Sequence, residues 1–302
     1  MNHSSETAMR DAPVIIIGMH RSGTSLTVRL LRDLGISMGG IVLKNTEALN
    51  FQHLNRRIFA VAEGDWSTVE PVMTAMRNPD FVTQQTAAMR RAVFAGKVRV
   101  GRDVGLVSYI DHFLWRRMYR AGRRMWGWKD PRTTLTFPVW LRVFPQAKFV
   151  HVIRNGIDVA ISLNRRTKVQ QRSWWKRRML EDYRPETLSF AQCFRLWELY
   201  LSFFFEQQEL IPSVQILELR YEALLSEPEV QLRKLVDFLE YPVDATQITA
   251  VCTQIKQERL DNCARARLYQ DEIAQLAGHP LMQALGYDYV FSTRDAAPQE
   301  AA

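Results

Sequence analysis

The stretch that most constrains this chain is Val14 to Leu34, VIIIGMHRSGTSLTVRLLRDL. Val14, Ile15, Ile16 and Ile17 are β-branched and favour a buried strand. Leu26, Leu30, Leu31 and Leu34 then recur at helical spacing and stop at Gly35, a residue suited to ending a helix. The turn between them is therefore a strand-to-helix loop. Its backbone N–H groups and helix dipole favour an anion, and Gly23 permits close approach of the main chain. Against the phosphate-loop pattern G-x-x-x-x-G-K-S/T, the run Gly18-Met19-His20-Arg21-Ser22-Gly23-Thr24-Ser25 keeps both glycines and the final hydroxyl but has Thr24 at the lysine position. A triphosphate site uses that lysine on the β and γ phosphates. Thr24 thus argues against ATP, GTP and a nucleotide kinase, and for a nucleotide with a shorter 5′ chain. The cation has moved to Arg21.

A second site with chemistry in it lies further along. Trp126 to Lys129 reads as a short strand, and Asp130-Pro131 as an N-cap followed by proline in the first helical turn, which puts Lys129 at a strand tip. Phe149 to Ile153 is another strand. Asn155 caps the helix after it, with Asp158 at the third position in the manner of a capping box. Arg154 sits at that strand's tip, and Ser162 lies nearly two helical turns beyond Asn155 on the same face. A guanidinium fork and a neutral hydroxyl placed this way suit a single phosphate held between them.

Composition sets the frame. With 302 residues, 47% of them hydrophobic, the chain buries a full core as one α/β domain with helical additions, residues 13–291. Residues 1–12 and the tail 292–302 are polar and are expected to be flexible. No basic-then-apolar leader and no bilayer-length apolar run is present in the sequence, so the expectation is a soluble cytoplasmic protein without a membrane span. Cys193, Cys252 and Cys263 are widely spaced and lack metal-ligand pairing, as expected of reduced packing thiols. A net charge of +8 and a pI near 9.6 favour acidic partners, among them a nucleotide, an anionic glycan, nucleic acid or a membrane surface.

Elsewhere the pattern is mostly helical. Ile36 to Thr46 reads as a loop, and Glu47 to Val61 as a helix with Leu54, Ile58 and Val61 on one side. Residues 65–96 are helical with breaks at Pro71 and Asn78-Pro79, and Leu106 to Arg120 forms another helix. The basic run Arg165 to Arg178, with Trp174 and Trp175, reads as a mobile loop gating the substrate; nothing else resembles a nucleic-acid module. Leu188 to Leu210 is an aromatic-rich core helix. Val214 to Leu219 is a strand, and Ser226 to Glu229 caps the helix that follows. Two or so further helices between Asp244 and Leu285 close the chain.

These landmarks resemble the sulfotransferases that use 3′-phosphoadenosine 5′-phosphosulfate (PAPS). Arg21-Ser22-Gly23-Thr24-Ser25 resembles their 5′-phosphosulfate loop, and Trp128-Lys129-Asp130-Pro131-Arg132 the K-D-P segment of the tyrosylprotein and related enzymes. Arg154 and Ser162 match the 3′-phosphate motif R-x7-S, and Arg220-Tyr221-Glu222 the late R-Y-E-x-L segment. The resemblance implies a P-loop-like fold with a central parallel sheet of four or five strands flanked by helices. It also implies PAPS as sulfonate donor, adenosine 3′,5′-bisphosphate (PAP) as product and no metal. By it Arg21 and Lys129 face the transferring sulfonate, Tyr221 lies near the adenine, and Glu47 is the general base in preference to His53. The acceptor is a hydroxyl or amine, with carbohydrate favoured over a small alcohol, phenol or peptide because of the basic Trp-bearing run. The alternative is a non-catalytic basic protein whose altered loop binds a nucleotide or glycan.

Overall fold

Strand β1 (Val14–Ile17) is the centre of a five-stranded, all-parallel sheet of order β2-β3-β1-β4-β5. Its partners are β2 (Ser37–Met38), β3 (Trp126–Lys129), β4 (Lys148–Ile153) and β5 (Ile216–Arg220). The structure, a computed structural model, describes residues 12–39, 45–95, 125–172, 187–255, 267–288 and 291. The β-branched run of β1 is wholly buried because a parallel sheet is covered on both faces. Alternation divides it between two cores. Ile15 and Ile17 join Trp128, Phe149 and Ile153 on one face, and Val14 and Ile16 join Val150, Val152 and Leu219 on the other. Ile15 lies opposite both Trp128 and Phe149, so β1, β3 and β4 end near one another. Ligands of open α/β sheets bind at such carboxyl ends.

Helix α1 (Thr24–Asp33) follows β1 and buries Val28, Leu30 and Leu31 on the Ile16 face. Helices α2 (Leu49–Val61), α3 (Glu70–Arg77) and α4 (Pro79–Ala95) come before β3, and α5 (Thr133–Val143) comes after it. Phe51 of α2 stacks on Trp128 with ring centroids 3.8 Å apart, which ties α2 to the tip of β3. Helix α6 (Gly156–Arg172) follows β4, and α7 (Phe190–Gln207) packs along it with Phe194, Trp197, Leu201 and Phe204 buried. After β5 come α8 (Tyr221–Ser226), α9 (Pro228–Leu239), α10 (Ala245–Cys252), α11 (Gln270–Ala274) and α12 (Pro280–Ala284). Among the described residues no helix is long and apolar enough to cross a membrane.

Several expectations are corrected. The loop expected from Ile36 contains β2, an edge strand too short to leave a pattern. Helix α2 starts at Leu49, two residues after Glu47, and Val61 at its end is 60% exposed because the helix turns its last residues to solvent. Pro71 sits in the first turn of α3, where its missing N–H costs nothing, so it starts a helix instead of breaking one. Ser226 does not cap α9: it ends α8, and Glu227 precedes Pro228 at the start of α9. Helix α6 runs through Arg165 to Arg172, so that half of the expected loop is helical. Trp174, Trp175, Cys263, the helix expected at 106–120 and, of the polar ends, residues 1–11 and 292–302 lie outside the described residues.

Candidate active site

The phosphate loop is shaped by hydrogen bonds that leave the start of α1 facing outward. Gly18 N–H donates to Thr134 Oγ1 at 2.8 Å, and Ser22 turns its buried hydroxyl back to the Met19 carbonyl at 2.7 Å. Gly23 has φ +103°, and a Cβ there would lie 2.2 Å from Cδ2 of Tyr221, so only glycine fits. Arg21 also takes the left-handed conformation, φ 72°, a strained choice of the kind concentrated at ligand sites. The first N–H groups of α1 have no acceptor within the helix and carry its positive dipole end. Thr24 and Ser25 line the cleft in front of them, and the Ser25 hydroxyl donates to the Asn45 carbonyl at 2.7 Å.

Around this loop the tips of β3 and β4 supply charge. Lys129, 3% exposed, donates to the Asn45 carbonyl at 2.8 Å and stands 3.5 Å from Glu47 Oε1. The other Glu47 oxygen accepts from the Gln52 amide and lies 3.9 Å from Arg132 Nη1. Burial works to raise the Glu47 carboxyl, but Lys129 and Arg132 outweigh it and hold the group at about 2. Burial lowers the Lys129 ammonium, partly offset by Glu47 and Asp130. Arg132 is fixed by Asp130 at 3.0 Å, and Asp130 accepts from Asn55 Nδ2 at 2.9 Å. Asn55 donates as well to Thr133 and accepts from Thr136 and Trp140, so α2 and α5 lock this charge chain in place.

Arg154 follows β4 directly. Its Nη2 donates to Asp158 at 2.9 Å and its Nη1 to the Arg21 carbonyl at 3.3 Å. Its guanidinium lies over the buried Tyr221 ring, 4.4 Å from the centroid. Asp158 is thus drawn to Arg154 by charge, and the helix start is capped by Asn155 Oδ1, which accepts from Ile157 N–H at 2.9 Å. Ser162 accepts from Arg21 Nε at 2.8 Å, so this serine is tied to the phosphate loop. Arg154 Nε is buried with no hydrogen-bond partner, a rare state for a buried donor.

One cleft of about 170 Å³ gathers Arg21, Gly23, Thr24, Ser25, Glu47, Lys129, Arg154 and Tyr221. Ser22 and Ser162 stand just behind it, one shaping the loop and the other holding Arg21. His53 is absent from its lining, being on a different side of α2 from the residues that meet Glu47. Six further lining residues were not anticipated as site residues from sequence: His20, Leu26, Arg29, Asn45, Pro131 and Arg166. His20 is buried against the edges of Trp66 and Tyr200, and burial, reinforced by Arg132, Arg166 and Lys129, keeps its ring neutral. Arg166 stands one helical turn beyond Ser162 on α6, and that spacing is the sequence signal that could have found it.

A parallel sheet with a lysine-free phosphate loop, and cations at adjoining strand tips, defines an α/β protein with a P-loop-like fold. The model of the sulfotransferase family matches residues 13–245, and the chain belongs to that family. Omega-hydroxy-beta-dihydromenaquinone-9 sulfotransferase Stf3 of Mycobacterium tuberculosis (strain CDC 1551 / Oshkosh) is 24% identical over 264 residues, aligning 78% of this chain with 64% of that protein. The chain therefore spans less than two thirds of that relative's length. Protein-tyrosine sulfotransferase A of Caenorhabditis elegans is 30% identical over 116 residues, 38% of this chain and 27% of that protein. Among solved structures, a sulfotransferase from Alicyclobacillus acidocaldarius aligns at 15% identity and TM-score 0.46, covering 82% of this chain and 94% of its own. Mouse sulfotransferase SULT7A1 complexed with PAP aligns at 11% identity and TM-score 0.44, covering 83% and 66%.

Proposed function

We propose that the protein is a PAPS-dependent sulfotransferase acting on a hydroxyl acceptor. The observation that supports this best is the meeting, in one cleft, of a lysine-free phosphate loop and, among the described residues, five lining cations (Arg21, Arg29, Lys129, Arg154 and Arg166) and a single lining carboxylate, Glu47. The cleft's chemistry suits a donor with two separated anionic ends. The loop amides and Arg21 take the 5′ end, and Arg154, whose buried Nε lacks a partner, takes the 3′-phosphate with Ser162 and Arg21 beside it. Tyr221 then flanks the nucleoside, held against Gly23.

PAPS supplies an activated sulfonate on a phosphate leaving group. The chain's residues do the rest. Lys129 and the loop amides offset the charge growing on the bridging oxygen. Glu47 accepts the acceptor's hydroxyl proton as the new oxygen–sulfur bond forms and the bond to the phosphate oxygen breaks. Paired with Lys129, Glu47 is ionised but weakly basic; drawing the ammonium toward the sulfonate leaves the carboxylate more basic when the donor is present. Arg132 and Gln52 keep it aimed.

Incubation with labelled PAPS and a panel of acceptors tests the activity, and calorimetry with PAP against ATP tests the nucleotide. The panel begins with carbohydrates. A hydroxylated prenyl quinone and a tyrosine peptide join it, after the relatives' names. Glu47→Gln should retain PAP binding and lose about 10²-fold or more in single-turnover transfer, with His53→Ala near the parent. If the histidine variant is the inactive one, the base is misassigned. Binding of PAP with neither transfer to any acceptor nor hydrolysis of PAPS would favour a binding protein.

A further inference from the structure

Arg154 is held by its backbone as well as by its side chain. Its carbonyl accepts from Trp197 Nε1 of α7 at 3.0 Å, and the next N–H, that of Asn155, donates to Glu222 Oε1 at 2.9 Å. The other oxygen of Glu222 accepts from the Tyr287 hydroxyl at 3.0 Å. Tyr287 is buried, its ring lies 5.5 Å from the Arg220 guanidinium, and Arg220 Nη1 donates to the Leu285 carbonyl. Residues 285–287 are thereby fastened to Arg220-Tyr221-Glu222, and that short segment touches Arg154 twice. Tyr221 meets it by its ring, and Glu222 meets the peptide that follows it.

We propose that Glu222 is a positioning residue for the nucleotide's 3′-phosphate, coupling the C-terminal turn at 285–287 to the placement of Arg154. This rests on the reading that Arg154 takes that phosphate. The geometry explains how a residue that need not touch the ligand governs its affinity: a small rotation of the 154–155 peptide is amplified along the arginine side chain. A buried carboxylate is stable here only with its hydrogen bonds made, since burial pushes Glu222 up and the Asn155 N–H, the Tyr287 hydroxyl and Arg154 oppose it. Removing it frees the peptide and leaves two donors, the Asn155 N–H and the Tyr287 hydroxyl, without their acceptor.

The test is calorimetry of PAP and of adenosine 5′-monophosphate on the full chain, in the parent, Glu222→Ala, Glu222→Gln and Tyr287→Phe. The parent should prefer PAP. Glu222→Ala should weaken PAP about tenfold with the monophosphate unchanged, Tyr287→Phe should do the same more weakly, and Glu222→Gln, whose amide oxygen still accepts from Asn155, should stay near the parent. Equal losses for both ligands, or none, overturn the proposal. If Glu222→Ala does not fold, Tyr287→Phe decides: a loss confined to PAP supports the coupling, and no loss refutes it. A parent that binds both nucleotides alike refutes the assignment of Arg154 and this proposal together.

Discussion

Replacing Lys129 by methionine tests the charge pair at the centre of the cleft. Its Nζ stands 3.5 Å from Glu47 Oε1, with both side chains 3% exposed. At an effective dielectric constant of about 20, unit charges at that distance attract by about 5 kcal/mol before neighbours share the field. One pKa unit is about 1.4 kcal/mol, so methionine should release Glu47 from about 2 to roughly 5, with Arg132 and Gln52 still opposing burial. The sign is fixed. A carboxyl lowered in the fold adds stability above its unfolded pKa and loses it as pH falls toward the folded value, and the variant forfeits most of that gain. Single-turnover transfer measured between about pH 4 and 8 should be level on the acid side in the parent. In Lys129→Met it should fall with a midpoint near 5, on a plateau lowered about 10²-fold while PAP binding changes far less. Because removing one partner of a buried pair costs about 3 to 5 kcal/mol, the double variant Lys129→Met/Glu47→Gln should regain much of the lost stability in chemical unfolding. A retained plateau rate refutes the role of Lys129, and an unmoved acid limb refutes the coupling to Glu47.

Arg154→Ala and Ser162→Ala should weaken PAP, the arginine change by about tenfold or more, while adenosine 5′-phosphosulfate, which lacks the 3′ group, is indifferent to both; calorimetry compares them. His151, fully buried at 3.9 Å from the Phe204 centroid with both ring nitrogens unpaired, is lowered by burial to about 3. The unfolded chain therefore takes a proton below about pH 6.5 that the fold refuses, and stability falls as pH drops from there toward 3. His151→Leu should reduce the difference in unfolding free energy between pH 7.5 and 5 by about 2 kcal/mol, read from urea titrations at both values.

What was legible in the sequence was what short-range chemistry dictates. Four strands announce themselves by β-branched or aromatic runs, and the phosphate loop by its glycines, because each needs only neighbouring residues. The landmarks Lys129 and Arg154 were readable as strand tips for the same reason. The support beneath them was not. Asn55 meets Asp130 and Thr133 across 75 and 78 positions, and Glu222 meets Asn155 across 67, distances over which no periodicity carries. Asp158 shows how local signals mislead. Its spacing from Asn155 suits a capping box, but the Asn155 N–H donates to Glu222 and the Asp158 carboxylate pairs with the Arg154 guanidinium. His20 lay in plain view between Met19 and Arg21, yet nothing in its neighbours signals that the loop turns it against Trp66.

The strand order explains why the lysine of an ordinary phosphate loop is dispensable here. That lysine concentrates one charge at the start of the helix, where a chain of linked phosphates lies. In this sheet β3, β1 and β4 are adjacent, and each ends in its own cation, Lys129, Arg21 just past the loop's first turn, and Arg154. Neighbouring strands stand about 4.8 Å apart, so the three charges are spread over roughly 10 Å along the sheet edge. Such a row suits a ligand whose anionic groups sit on either side of a sugar, and it offers a continuous phosphate chain no single focus. Thr24 in place of lysine then removes a like charge that would crowd Arg21 and Lys129. Two carboxylates flank the row, Asp158 against Arg154 and Glu47 beside Lys129.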